Sequence, residues 1–170
     1  YLNHQIRNLY FVNIFVDSKD GKKAIEGNLL FAHKGFSGPA VLTSSLYWEK
    51  GKIQIDFLPK DKIEKFLNGN RNISTALPLP KRFIQEFLSS VDLEDKSCSK
   101  LTQQDLEKLK LLKNYELSPA GNFGYTKAEV TKGGIDTNEI NHNSFESLKQ
   151  KDLYFIGECL DLTGELGGFN

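Results

Sequence analysis

The chain contains no methionine, one tryptophan, three histidines and two cysteines, and its 22 basic side chains are cancelled by 22 acidic ones. Each shortage removes a class of function. Cys98 and Cys159 show no Cys-x-x-Cys spacing, so a disulfide-stapled scaffold is not expected; two free thiols in a cytoplasmic protein are. His4, His33 and His142 are far apart and form no paired metal-ligand motif, which predicts isolated histidines and no metal site. Zero net charge argues against a general polyanion binder. The expectation is therefore no nucleic-acid partner and no membrane partner. No apolar run approaches the roughly 20 residues needed to span a bilayer. The polar first eight residues are not followed by the apolar core of a signal peptide. Without an initiator methionine, the sequence reads as a segment of a longer protein or as a product of cleavage. At 170 residues it can hold one sizeable core or two small lobes sharing one.

What is present divides into a β-rich part and a helical part. Residues 9–16 are rich in β-branched and aromatic side chains and predict a strand. A turn at 17–21 leads to a return strand over 24–33, with Leu29, Leu30 and Phe31 as its buried part and Gly27 as a bulge. Ser37 followed by Pro39 predicts an N-capped helix over 40–48, with Val41, Leu42, Ser45 and Leu46 on one face. Residues 52–57 alternate as a half-exposed strand. From 60 to 113 helical periodicity takes over. Ile63, Phe66 and Leu67 fit a first short helix. Pro80 starts a second, with Phe83, Ile84, Phe87 and Leu88 on one face. Thr102 and Asp105 form a capping-box variant before a third, over 106–113. Short strands are expected at 115–117 and 128–131, and a closing strand at 153–156. The predicted fold class is α+β. A β-barrel-like part (1–59 and 114–134) is interrupted by a small helical lobe (60–113), and a return segment follows (135–170).

Three stretches pair glycine with a polar group at the end of an element. They are residues 31–39 (Phe-Ala-His-Lys-Gly-Phe-Ser-Gly-Pro), 128–135 (Ala-Glu-Val-Thr-Lys-Gly-Gly-Ile) and 153–170. The last of these runs from an apolar stretch through Gly157, Glu158, Asp161 and Gly164 to Gly167, Gly168, Phe169 and Asn170. Singly, each is satisfied by a cap or a tight turn. In this order they resemble the signatures of the BaiN-type, aminoacetone-oxidase-like family of bacterial NAD(P)/FAD-dependent oxidoreductases, and the resemblance runs over nearly the whole chain. It implies that the chain is the insert domain of a flavoprotein plus a strand segment of its FAD-binding domain, a strand whose sheet partners lie mostly outside the sequence. The remainder of that domain, a small-molecule substrate, and NAD(P)H or oxygen are the implied partners.

The resemblance also implies roles. Glu158, and Asp161 on the same turn, would accept hydrogen bonds from ribityl hydroxyls, since a carboxylate is an acceptor without competing donors. Gly157 opens that turn. Gly167 and Gly168, with Phe169 and Asn170 behind them, would bring backbone N–H groups to the pyrimidine edge of the flavin. Thr131, Gly133 and Gly134 would let the ring system approach closely. His33 and Ser37 are substrate-side candidates, although Ser37 is first of all a helix cap. Ala32 stands where the family pattern has threonine. The Gly-x-Gly-x-x-Gly turn that holds a dinucleotide pyrophosphate is absent from the sequence. The chain alone is thus expected to bind FAD weakly or not at all and to be inactive. The alternative is an independent protein- or nucleic-acid-binding module, suggested by Lys60, Lys62, Lys65, Arg71, Lys81 and Arg82. Interleaved Asp61, Glu64 and Glu86 make that stretch read as a solvated face.

Overall fold

The computed structural model describes residues 9–18, 21–32, 35–128 and 130–164. They form two units, one over 1–119 and one over 120–170. The first is built on a curled antiparallel sheet, half of a barrel, with strand order β3-β2-β1-β4-β5. The expected hairpin is there: β1 (Leu9–Ser18) pairs with β2 (Gly21–Ala32) from Leu9↔Leu30 to Ser18↔Gly21 without interruption. Alternation along β1 puts Val12, Ile14 and Val16 in the core at no more than 1% exposure. Gly27 makes no bulge, because the register runs straight through it. Its missing side chain serves packing: a Cβ there would lie 3.5 Å from Ala40 Cβ, so the following helix rests directly on the sheet.

That helix, α1 (Pro39–Tyr47), is entered differently from the expectation. Ser37 does not cap it. Ser37 belongs to a short strand, β3 (Gly35–Ser37), opposite Leu30 of β2. The N-cap is Gly38 at φ 94°, and a side chain at that position would sit 2.8 Å from Asn28 O and 2.9 Å from Leu30 N. Glycine is required both for the backbone angle and for the close approach. The buried face is Ala40, Thr43, Ser44 and Leu46, turned from the predicted one because the chain arrives from a strand. Ser44 and Thr43 are buried polar residues, and Ser44 Oγ donates back to Ala40 O at 2.6 Å.

β4 (Ile53–Asp56) pairs with β1, and β5 (Tyr115–Leu117) pairs with β4. The helical lobe lies between them in sequence. Its elements are α2 (Ile73–Ala76), α3 (Lys81–Ser90) and α4 (Gln103–Lys110), with single 3-10 turns at Ile63–Lys65, Cys98–Lys100 and Leu111–Lys113. The first predicted helix is only the turn Ile63–Lys65, and α2 is an element the periodicity did not reveal. α3 buries Ile84, Phe87 and Leu88 as expected. The capping box before α4 forms in full. Thr102 Oγ1 accepts from Asp105 N at 3.2 Å, and Asp105 Oδ2 accepts from Thr102 N at 2.8 Å. Lys96 pairs with the same carboxylate at 2.7 Å.

Lobe and sheet share one core. Phe57 and Phe83 lie 4.8 Å apart, as do Phe31 and Phe83, and Tyr115 edges both Phe57 and Phe83. Such aromatic pairs contribute about 0.5–1.5 kcal/mol each beyond their buried area. The two ends of the lobe are tied together by Lys113, whose ammonium meets Asp56 Oδ2 at 3.0 Å and donates to the carbonyls of Leu58 and Asp61.

The second unit is held by turns and isolated bridges. Ile140 pairs with Ser147, Glu146 with Tyr154, and Ile135 with Leu160 in parallel. The strand expected at 128–131 does not form among its described residues. Nor does a regular closing strand at 153–156, where Tyr154 makes only the bridge to Glu146. Tyr154 and Ile156 are 56% and 73% exposed. A buried strand needs neighbours on both sides to satisfy its N–H and C=O groups, and the described residues of this unit provide a neighbour on one side, through Phe145 and Ser147. Cys98 is buried and Cys159 exposed, and both are free. Among the described residues no helix is long and apolar enough to cross a membrane, and no cluster of three His, Cys, Asp or Glu could hold a metal ion.

Candidate functional site

Two of the three glycine motifs meet. Ile135 N donates to Cys159 O at 2.9 Å, and Asp161 N donates to Ile135 O at 2.9 Å, which makes the parallel bridge Ile135↔Leu160. Gly134 is the residue that allows it. A Cβ there would stand 2.5 Å from Cys159 O, 2.7 Å from Leu160 C and 2.9 Å from Asp161 N. All three are backbone atoms that cannot swing away. The end of the 128–135 motif, at Gly134 and Ile135, is thereby laid against Cys159, Leu160 and Asp161, where the turn Gly157–Cys159 ends.

Two further glycines of these motifs face open space. Gly133 has φ 97° and Gly157 has φ 80°, and a Cβ at either would meet nothing within 4 Å. Positive φ makes glycine the favoured residue at both positions. Thr131, Glu158 and Asp161 are exposed. The two carboxylates make no side-chain hydrogen bond or ion pair among the described residues, in contrast to Glu139, which is held by Lys149 at 2.5 Å. Two unpartnered acceptors beside two open glycine backbones suit a ligand that is rich in hydroxyl donors. Next to Asp161, a cavity of 280 Å³ is lined by Thr137, Ile140, His142, Phe145, Leu160 and Leu162. His142 Nε2 lies 3.2 Å from Thr137 O on its wall.

The other candidates are not joined to this site by anything described. Ser37 is half-buried in β3 of the first unit. His33, Gly167, Gly168, Phe169 and Asn170 lie outside the described residues. The residues that reading by motif missed are Ile135 and Leu160, the bridge itself. Their only signal was an apolar residue soon after a glycine turn, Ile135 directly after Gly133-Gly134 and Leu160 two places after Gly157-Glu158.

Residues 8–130 match the family model described as HI0933-like protein barrel and H2TH domain. In sequence the chain is 42% identical over 153 residues to the ribosomal RNA dihydrouridine synthase of Escherichia coli K12, covering 84% of this chain and 38% of that protein. It is 37% identical over 158 residues to the Haemophilus influenzae protein of the same name, covering 87% and 39%. It is 28% identical over 174 residues to the 3-dehydro-bile acid delta(4,6)-reductase of Clostridium scindens, covering 85% and 40%. The chain thus spans about two fifths of the length of these curated relatives. It belongs to the HI0933-like family, a family of FAD-dependent oxidoreductase-like proteins.

Proposed function

We propose that this member of the HI0933-like family is part of a flavin-dependent reductase that converts a uridine of ribosomal RNA to dihydrouridine. In this reading the sheet and helical lobe form the insert domain that shapes the substrate side of the flavin. The second unit is the return segment to the FAD-binding domain. The flavin half is supported by the Ile135–Leu160 bridge, which sets Gly134 against Cys159 and Asp161 and so joins the motif that holds Thr131 and Gly133 to the one that holds Gly157 and Glu158. The substrate half is supported by the two relatives named for ribosomal RNA. It departs from the expectation of no nucleic-acid partner, which rested on a net charge averaged over the whole chain.

The reaction class is consistent across the relatives. The C5=C6 bond of uracil is conjugated to the C4 carbonyl, and saturating it takes a hydride at C6 and a proton at C5. A 3-oxo steroid with 4,6 unsaturation, as in the third relative's name, is also an alkene conjugated to a carbonyl. FAD, when bound, would supply the hydride chemistry, recharged by NAD(P)H. This chain's own work is binding and orientation. Glu158 and Asp161 would hold ribityl hydroxyls, and the open backbones of Gly133 and Gly157 would allow the ring system to approach. Gly167, Gly168, Phe169 and Asn170 would continue that edge. His33 and Ser37 would stand on the substrate side. The rest of the FAD-binding domain would provide the pyrophosphate turn that the sequence lacks.

The test uses the full-length protein. Purified with its flavin and incubated with NADPH and unmodified ribosomal RNA, it should yield a nucleoside two mass units heavier than uridine. Ribosomal RNA from a deletion strain should lack one dihydrouridine. A full-length protein that stays colourless after dialysis against FAD, or a deletion strain with unchanged ribosomal RNA, would sink the reading.

A further inference from the structure

We propose that the outer face of the sheet is a stacking platform for single-stranded RNA, with Phe11 and Phe15 of β1 as its rings. The proposal rests on the RNA reading above and assigns that substrate a place on the first unit. β1 is the central strand of the sheet. Its even-numbered residues Val12, Ile14 and Val16 fill the core, so Phe11, Asn13 and Phe15 project from the other face. All three are half-buried. Residues four apart on a strand are roughly 13 Å apart, room for two bases of an extended strand with a polar group between them.

The polar group is unusual. Asn13 Oδ1 is the one buried side-chain acceptor among the described residues that has no hydrogen-bond partner. An unmade buried hydrogen bond is costly and calls for an explanation. Glu26, directly opposite on β2, is exposed and adds a second acceptor. On the other side Asp56 is engaged by Lys113. Asn13 Oδ1 itself is shielded from a ligand, so the exposed carboxylate of Glu26 is the acceptor this face offers to an N–H such as that of the uracil imide. Cations stand at both rings. Lys60 Nζ lies 3.8 Å from the Phe11 ring centroid and pairs with no carboxylate among the described residues. Lys22 Nζ lies 5.6 Å from that of Phe15. When a base takes the place of the ammonium over the ring, Lys60 moves onto the adjoining phosphate. Rings that accept bases of any sequence, with cations beside them for the backbone, are what sheet-type single-strand binders use.

Two measurements on the full-length protein decide it. First, a fluorescent twelve-residue oligouridylate is titrated at several salt concentrations. Each stacked ring is worth about 5-fold to about 150-fold in affinity. The double variant Phe11→Leu, Phe15→Leu, which keeps apolar bulk, should therefore bind at least about tenfold more weakly. Lys60→Gln should flatten the salt dependence by about one phosphate contact. Second, RNA carrying 4-thiouridine is photo-cross-linked to the unmodified protein and the peptides are mapped. Cross-links on Phe11 or Phe15 support the platform. Unchanged affinity in the double variant, or cross-links confined to other peptides, overturns it. If dihydrouridine still forms while the cross-links lie elsewhere, only the platform fails. If neither product nor RNA binding is seen, the RNA reading fails with it.

Discussion

Replacing Gly134 by alanine is the sharpest perturbation of the candidate site. The added Cβ would sit 2.5 Å from Cys159 O, with two further backbone atoms inside 3.0 Å. None of these is the end of a flexible side chain, so the two segments must separate. Separation breaks the hydrogen bonds Ile135 N to Cys159 O and Asp161 N to Ile135 O, both 2.9 Å. A hydrogen bond contributes about 0.5–1.5 kcal/mol net, so two contribute about 1–3 kcal/mol. That loss is local, and global melting is a poor reporter of it. Amide hydrogen exchange reads it directly. The Ile135 and Asp161 amides should exchange about 5-fold to about 150-fold faster, at 1.4 kcal/mol per decade. Amides in β1 and β2 should be unaffected. In the full-length protein the same variant should lower flavin occupancy, since the two motifs no longer share an edge. Unchanged protection at Ile135 and Asp161 would show that the contact is not what holds the motifs together.

Gly38→Ala should destabilise the first unit by more than about 2 kcal/mol, because strain at φ 94° adds to a 2.8 Å approach to Asn28 O; denaturant unfolding reads this as a lower midpoint. Asp105 is held at a pKa of about 2, chiefly by its hydrogen bond from Lys96 and then by the Thr102 backbone. A folded-state pKa below the unfolded value gives stability that is complete above about pH 4 and fades as the pH falls towards 2. Asp105→Asn should therefore cost about 1–2 kcal/mol at pH 7 and much less at pH 2.5, and equal losses at both would refute it. Glu158→Ala in the full-length protein should weaken FAD binding about tenfold with no change in thermal stability of the flavin-free form, since that carboxylate contacts nothing described; unchanged FAD affinity in a titration would remove Glu158 from the site.

The sheet and lobe were readable because period-2 and period-3.6 patterns report burial directly. Val12, Ile14 and Val16 alternate, and Ile84, Phe87 and Leu88 recur at helical spacing. The misreadings share one cause, backbone geometry that only the assembled chain decides. Ser37 is the better capping residue by side chain, but the chain turns at Gly38 because nothing larger passes Asn28 and Leu30. Residues 153–156 have the composition of a buried strand, yet a strand is defined by its neighbours as much as by itself. The glycine motifs were legible one at a time. That Thr131–Gly134 touches Gly157–Asp161 was not, because a parallel bridge between positions 135 and 160 leaves no local pattern. The unsatisfied Asn13 between Phe11 and Phe15 was also invisible. In sequence it is one more polar residue on the outward side of a strand.

The tie at Lys113 has an architectural consequence. β4 and β5 pair as antiparallel neighbours, Ile55 opposite Tyr115, so residues 57–114 are topologically the loop of a β-hairpin. Lengthening a loop is entropically mild, at about 0.6 kcal/mol per doubling. A hairpin turn whose ends are clasped by one lysine is thus a port into which a helical cassette can be exchanged while the sheet keeps its register. The exchange is not free, because Phe57, Ile84, Phe87 and Leu88 sit in one core with Ile14 and Ile55, so a new cassette must bring apolar side chains to the same places.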